Sequence, residues 1–130
     1  MMSEERATTA TEYRVAAAGD IPDGERLLTQ VGDREVGIFR VKGSLHAWEN
    51  RCAHQGGPVC IGRILGRTEL VLAEDQTAIR EQRSTDELHI ACPWHGWEYN
   101  LETGACAALP TRTLRRVEVS ERDGDVFLRV

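Results

Sequence analysis

ENRCAHQGGP (residues 49–58) and IACPWHGWEYN (residues 90–100) each carry one cysteine and one histidine: Cys52 with His54, and Cys92 with His95. Two soft thiolates and two imidazoles, set out as C-x-H and C-x-x-H, are the donor types of a metal centre. Their neighbours suit close approach to such a centre. Gly56 and Gly57 let the backbone come near a bulky inorganic core and offer it N–H groups. In the second stretch Pro93 stiffens one side and Gly96 clears the other. Two loops facing each other, each supplying one Cys and one His, would enclose the metal at one tip of the fold.

Working outward, both flanks read as short strands. Tyr13 to Ala18 is extended and is followed by the turn-rich GDIPDG. Glu25 to Val31, Arg34 to Val41 and Leu45 to Glu49 are separated by Gly32-Asp33 and Lys42-Gly43-Ser44, the spacing of an antiparallel meander. Near the other end Thr113 to Val119 and Val126 to Val130 flank Asp123-Gly124, a hairpin signal. Val117 and Val119 alternate with Arg116 and Glu118, and Val126, Leu128 and Val130 share a face. The expected architecture is all-β. Residues 1–12 are expected to form a disordered tail and 13–130 a single domain, with a site-bearing region, about 50–104, inserted into a β scaffold.

At 130 residues the chain has room for one core and none for a separate catalytic domain. With 41% hydrophobic and 28% charged residues it is neither disordered throughout nor a membrane protein, and no apolar run approaches the roughly 20 residues of a membrane span. The net charge of -5 speaks against nucleic acid. MMSEERATTATEY has no secretory pattern, so a cytoplasmic setting is expected. There, four cysteines favour metal binding over disulfides. Cys60 and Cys106 lack a histidine neighbour and read as packed, unreactive thiols.

C-A-H-Q-G-G-P and C-P-W-H-G-W-E-Y resemble the two cluster-binding loops of Rieske [2Fe-2S] proteins, and the likeness covers the chain from Tyr13 onward. The resemblance implies an antiparallel β-sandwich with an inserted two-loop cluster-binding subdomain. It also implies one [2Fe-2S] cluster, with Cys52 and Cys92 on one iron and His54 and His95 on the other. Gln55, Gly57, Trp94, Gly96, Trp97 and Tyr99 would surround it, and Leu109-Pro110 resembles part of a third, shielding loop. A structural zinc site is the chemical rival.

The chain departs from the family pattern in two ways. Compact members separate the pairs of their Cys2His2 cluster by about sixteen residues, whereas Gln55 to Ala91 spans 37. An insertion is therefore expected at about 63–87, as a solvated hairpin, a short helix or a docking surface. High-potential members resemble C-x-H-x-x-C and C-x-C-H, whose extra cysteines join the loops; those positions are Gly57 and Trp94. A serine that bonds a bridging sulfide is replaced by Trp97, while Tyr99 matches a tyrosine that bonds a cysteine sulfur.

These features predict a low potential, on the order of -150 to 0 mV. The C-P-W-H-G-W-E-Y loop is closer to those of oxygenase systems, but the mononuclear iron domain of an oxygenase subunit is missing: His46 and His89 are isolated, and no G-x-G-x-x-G opens a helix. The expected role is a ferredoxin-like electron carrier between a reductase and a terminal oxygenase or other oxidoreductase, without catalysis of its own. A small subunit of a larger redox enzyme such as a nitrite reductase and a zinc-stabilised interaction domain are the alternatives. Cluster assembly leaves the formal charge at -5, so a partner with a basic collar is expected.

Overall fold

REVGIFRV, residues 34–41, runs without a polar side chain from Val36 to Phe39, the pattern of a strand covered on both faces. The computed structural model describes residues 11–53, 56–72 and 79–130, with the backbone alone at 68–72, 79–83 and 85. Among the described residues the strands are, in chain order, β1 (Glu12–Ala17), β2 (Arg26–Val31), β3 (Arg34–Val41), β4 (Ser44–Glu49), β5 (Arg63–Leu72), β6 (Ile79–Ala91), β7 (Glu98–Asn100), β8 (Arg116–Arg122) and β9 (Asp125–Arg129). They form a six-stranded sheet in the order β1-β9-β8-β4-β3-β2 and a three-stranded sheet in the order β5-β6-β7. Every pairing is antiparallel.

The two faces of β3 and β4 separate two cores. Val36, Ile38 and Ala47 meet Ala16 of β1, Val117 of β8, and Val126 and Leu128 of β9. The large sheet therefore curls until its two ends share one interior. Its halves pair as strands through β4 and β8, at Ala47–Val117 and Trp48–Arg116. On the opposite face Phe39, Val41 and Trp48 pack with Cys52, Cys60, Cys92, Tyr99 and Leu101. The second core thus seats the cysteine-bearing loops on the wall formed by β3 and β4.

Turn chemistry sets the strand registers. Lys42-Gly43 and Asp123-Gly124 have positive φ at both positions, and each closes a two-residue hairpin, between Val41 and Ser44 and between Arg122 and Asp125. The expected tail boundary needs correction. Glu12 already pairs with Arg129, and Thr11 exchanges backbone hydrogen bonds with Val130, because β9 offers β1 a free edge. The rest of that tail, 1–10, lies outside the described residues. The strand expected from Thr113 begins only at Arg116. Before it, Leu114 N–H donates to Gly104 O at 2.9 Å and Thr113 bridges Ala105, which holds this segment against the site region instead of the sheet.

The expected insertion is an extension of a hairpin that belongs to the site sheet. Arg63 to Gly66 pair with Ala91 to Leu88, next to β7, and the register then jumps so that Thr68 pairs with Arg83. The extra β6 residues form a bulge in which Ser84 Oγ accepts the N–H groups of Asp86 and Glu87. Gly66 is needed there, since a Cβ would fall 1.7 Å from Ser84 O. No helix among the described residues is long and apolar enough to cross a membrane.

Candidate metal centre

The two cysteine loops share one backbone frame. Cys52 N–H donates to Gly57 O at 2.7 Å and its carbonyl accepts from Gly56 N–H at 2.9 Å. In the second loop Cys92 N–H donates to Trp97 O at 2.8 Å and its carbonyl accepts from Gly96 N–H at 2.8 Å. Gly56 and Gly96 occupy equivalent places with φ of 77° and 75°, a conformation glycine adopts without strain. C-x-H-x-G and C-x-x-H-G therefore fold alike around Cys and Gly, with the histidine shifted by one place. β4 delivers the first loop; β6 delivers the second and β7 carries the chain away from it. The segments meet where Gly62 passes Ala91 O so closely that a Cβ would fall 1.8 Å from it.

Cys52 and Cys92 are both buried. Their sulfurs adjoin: burial pushes the Cys92 thiol up and the Cys52 sulfur adds to this, while the backbone N–H groups of Trp94 and His95 favour the thiolate. Adjacent buried thiolates repel, and a cationic centre between them removes the conflict, so this donor set suits a bound metal. Tyr99 Oη lies 3.0 Å from Cys52 Sγ. Burial, followed by the neighbouring Cys52, raises the phenol pKa, so Tyr99 stays protonated and can donate to the sulfur once it is a thiolate. His95 stands exposed at the rim, and His54 and Gln55 lie outside the described residues. Among the described residues no three His, Cys, Asp or Glu side chains converge on a single ion.

The remaining expected neighbours fall into place unevenly. Trp94, 55% exposed, lays its ring against Gly57, where a Cβ would fall 2.6 Å from it. The two positions at which high-potential sequences resemble a cysteine pair are thus in contact here through glycine and indole. Trp97 is half-buried against the site core, and Gly96 is exposed. Pro110 and Leu109 are exposed in a turn closed by Arg112 N–H to Leu109 O at 2.8 Å. Arg112 Nη1 donates to Ala53 O at 3.4 Å, which ties this third loop to the first.

Sequence reading missed three supports. Trp48 Nε1 donates to Leu101 O at 3.0 Å, Asn50 Oδ1 accepts Cys60 N–H at 2.8 Å, and Arg26 Nη1 donates to the carbonyls of Cys60 and Gly62. Only an asparagine next to a loop start hinted at any of them. His89 is buried with both ring nitrogens bonded, to Glu87 at 2.7 Å and Glu98 at 3.0 Å. The ring nitrogens of His46 lack any partner among the described residues; burial and then Arg116 lower its pKa, so it stays neutral.

Cys60 is packed against Gly37 and away from the paired sulfurs, with its thiol pushed up to about 12, chiefly by burial. A raised folded-state pKa means the thiol keeps its proton longer when folded. That contribution to stability is complete below the ordinary thiol value and is lost as pH rises from there to about 12. Across this window the Cys60→Ala variant is expected to lose less stability than the parent, by up to about 1.4 kcal/mol per pH unit, in denaturant titrations. Parallel slopes would contradict the burial of this thiol.

Residues 11–118 match the model of the Rieske [2Fe-2S] domain. A human Rieske domain-containing protein is 38% identical over 96 residues, covering 72% of this chain and 50% of its own length. Ferredoxin CarAc of Metapseudomonas resinovorans is 27% identical over 117 residues, covering 88% of this chain and 90% of its own. A putative NADH-dependent nitrite reductase small subunit from Mycobacterium tuberculosis superposes with a TM-score of 0.67 at 15% identity, over 93% of this chain and 96% of its own. This chain therefore spans half the length of the human relative and nearly all of the ferredoxin. With its twin loops, paired buried sulfurs and matched domain, the chain belongs to the Rieske [2Fe-2S] domain family, and its cofactor is a Rieske-type [2Fe-2S] cluster.

Proposed function

We propose that this chain is a ferredoxin-like electron relay of low potential, passing single electrons from a reductase to a terminal oxygenase or another oxidoreductase. In this reading Cys52 and Cys92 hold the inner iron, and His54 and His95 the outer one. The observation that carries it is the polarity of the site: the sulfurs are buried and bonded, while His95 faces out at the rim. When bound, the cluster supplies a one-electron couple. The chain's own residues do the rest. Tyr99 and the N–H groups of Trp94 and His95 stabilise negative charge on sulfur. The site core keeps water from the inner side, and the exposed His95 presents an imidazole edge to a docking partner.

A fixed small subunit of a larger redox enzyme would use the same site. The matching extent and fold of the nitrite reductase small subunit favour keeping this second reading. The two differ in whether the chain is isolated alone and accepts electrons from a reductase in solution.

The potential tests both the relay and its tuning. A hydroxyl-to-sulfur bond that strengthens by about 1 kcal/mol on reduction corresponds to roughly 40 mV for one electron. The midpoint is expected on the order of -150 to 0 mV, with Tyr99→Phe lowering it by about 40 mV. A midpoint above roughly +150 mV, in the upper part of the Rieske range, would contradict the low-potential assignment, and an unmoved midpoint in Tyr99→Phe would remove the tyrosine's role.

A further inference from the structure

Net charge alone calls for a basic partner. A docking protein, however, senses mainly charges within a Debye length of the contact, about 8 Å at physiological ionic strength. Beside the first loop three arginines stand close to Cys52. Arg51 immediately precedes Cys52. Arg115 arrives from the segment before β8, its carbonyl accepting the Glu49 N–H at 2.9 Å. Both line an open depression of about 510 Å3 that Cys52 and Ala53 also line. Arg112 is held at this loop by its bond to Ala53 O.

All three arginines are exposed, and among the described residues none pairs with a carboxylate. The one acid lining this depression, Glu49, already lies 3.6 Å from Arg34; Asp33 and Glu35 line the adjoining depression, away from Cys52 and Ala53. On the second-loop side Glu98 is turned onto His89. Several arginines elsewhere meet acids: Arg14 meets Asp125 at 2.9 Å and Arg122 meets Glu12 at 2.8 Å. Three cations of this acidic protein that pair with no carboxylate among the described residues therefore stand together beside the first cysteine loop.

We propose that the face rimmed by Arg51, Arg112 and Arg115 is the docking surface for an acidic face of a redox partner protein. This rests on the electron-relay reading and specifies its partner. Cations at the rim steer an acidic surface toward the exposed edge of the site and hold it there, while the net charge of the rest of the molecule is screened.

Two probes of the holoprotein test the proposal. Hexacyanochromate(III), an anion that does not exchange electrons here, should broaden the Arg51, Arg112 and Arg115 side-chain N–H signals more than those of Arg14 and Arg122; even broadening would overturn the proposal. In stopped flow, one electron passes from the reduced protein to hexacyanoferrate(III), giving hexacyanoferrate(II). That rate should fall by about tenfold from low to high salt, and the rate with the cation tris(phenanthroline)cobalt(III) should not. The Arg51→Gln/Arg112→Gln/Arg115→Gln variant should lose the fall, and the corresponding lysine variant should keep it. Arg51→Gln/Arg115→Gln, which spares the bond to Ala53, should lose most of it. A rate with the anion that rises with salt overturns the proposal alone. Failure of both oxidants to take electrons at any salt overturns the relay reading, and the broadening map then decides the surface by itself.

Discussion

Cys92→Ala is expected to yield a colourless protein whose iron content falls by about tenfold or more, while Cys60→Ala remains fully loaded. Loss of groups that merely support metal ligands already lowers affinity by about 10–100-fold, and removal of a proposed ligand should do no less. Cys92 and Cys60 are equally buried cysteines in the same core, so burial alone does not separate them. Their surroundings do. Cys92 receives backbone N–H groups and adjoins Cys52, whereas the Cys60 sulfur faces Gly37 and the carbonyl of Trp48 at 3.5 Å. The base of the fold should survive Cys92→Ala, because the core built from Val36, Ile38, Ala47, Val117, Val126 and Leu128 contains no residue of either cysteine loop. Iron analysis with visible absorbance and far-ultraviolet circular dichroism checks both halves. Equal iron in the two variants would contradict the assignment.

Trp48→Ala should destabilise the protein by about 3–5 kcal/mol, the range for deleting a buried aromatic side chain. The site gives reasons for the upper end. Trp48 is 1% exposed, and its indole N–H satisfies Leu101 O. Its ring fills the space beside Gly104, where a Cβ would fall 2.6 Å away, and Arg116 stacks on it at 4.3 Å. The strand carrying Trp48 runs into the first loop, and Leu101 and Gly104 follow the second, so one side chain fastens both arms to the scaffold. The variant leaves a cavity and an unpaired buried carbonyl. Besides the lower denaturation midpoint, cluster loss on storage should accelerate. A cost below about 1 kcal/mol would show that the arms are held some other way.

The strands and turns that depend on nearby residues were legible. Alternating valines marked β8 and β9, and Asp123-Gly124 marked their hairpin, although β8 runs on to Arg122, three residues past the expected Val119. The four proposed ligands are picked out by short spacing and glycine neighbours, which are local signals. What escaped depends on pairs far apart in sequence. Trp48 meets Leu101 across 53 residues. The extended hairpin of β5 and β6 has no strict alternation to announce it, and its bulge is visible only once Gly66 lies beneath Ser84. The twin closure of the two loops was hidden because their histidines are offset by one place, although the matching Cys-to-Gly spacing, Cys52 to Gly56 and Cys92 to Gly96, was present in the sequence. Net charge is likewise a sum over the chain and cannot show that Arg51 and Arg115 line one depression with Cys52.

The central claim is that two cysteines and two histidines of this chain hold one [2Fe-2S] cluster. The most direct measurement is the electron paramagnetic resonance spectrum of the dithionite-reduced protein, taken with iron and sulfide analysis of the same sample. The account predicts a red-brown protein with two irons and two labile sulfides per chain, a rhombic signal on reduction, and nitrogen couplings that change in His95→Cys. A colourless, fully metallated protein with one zinc per chain, or a cluster whose spectrum carries no nitrogen coupling, would contradict it.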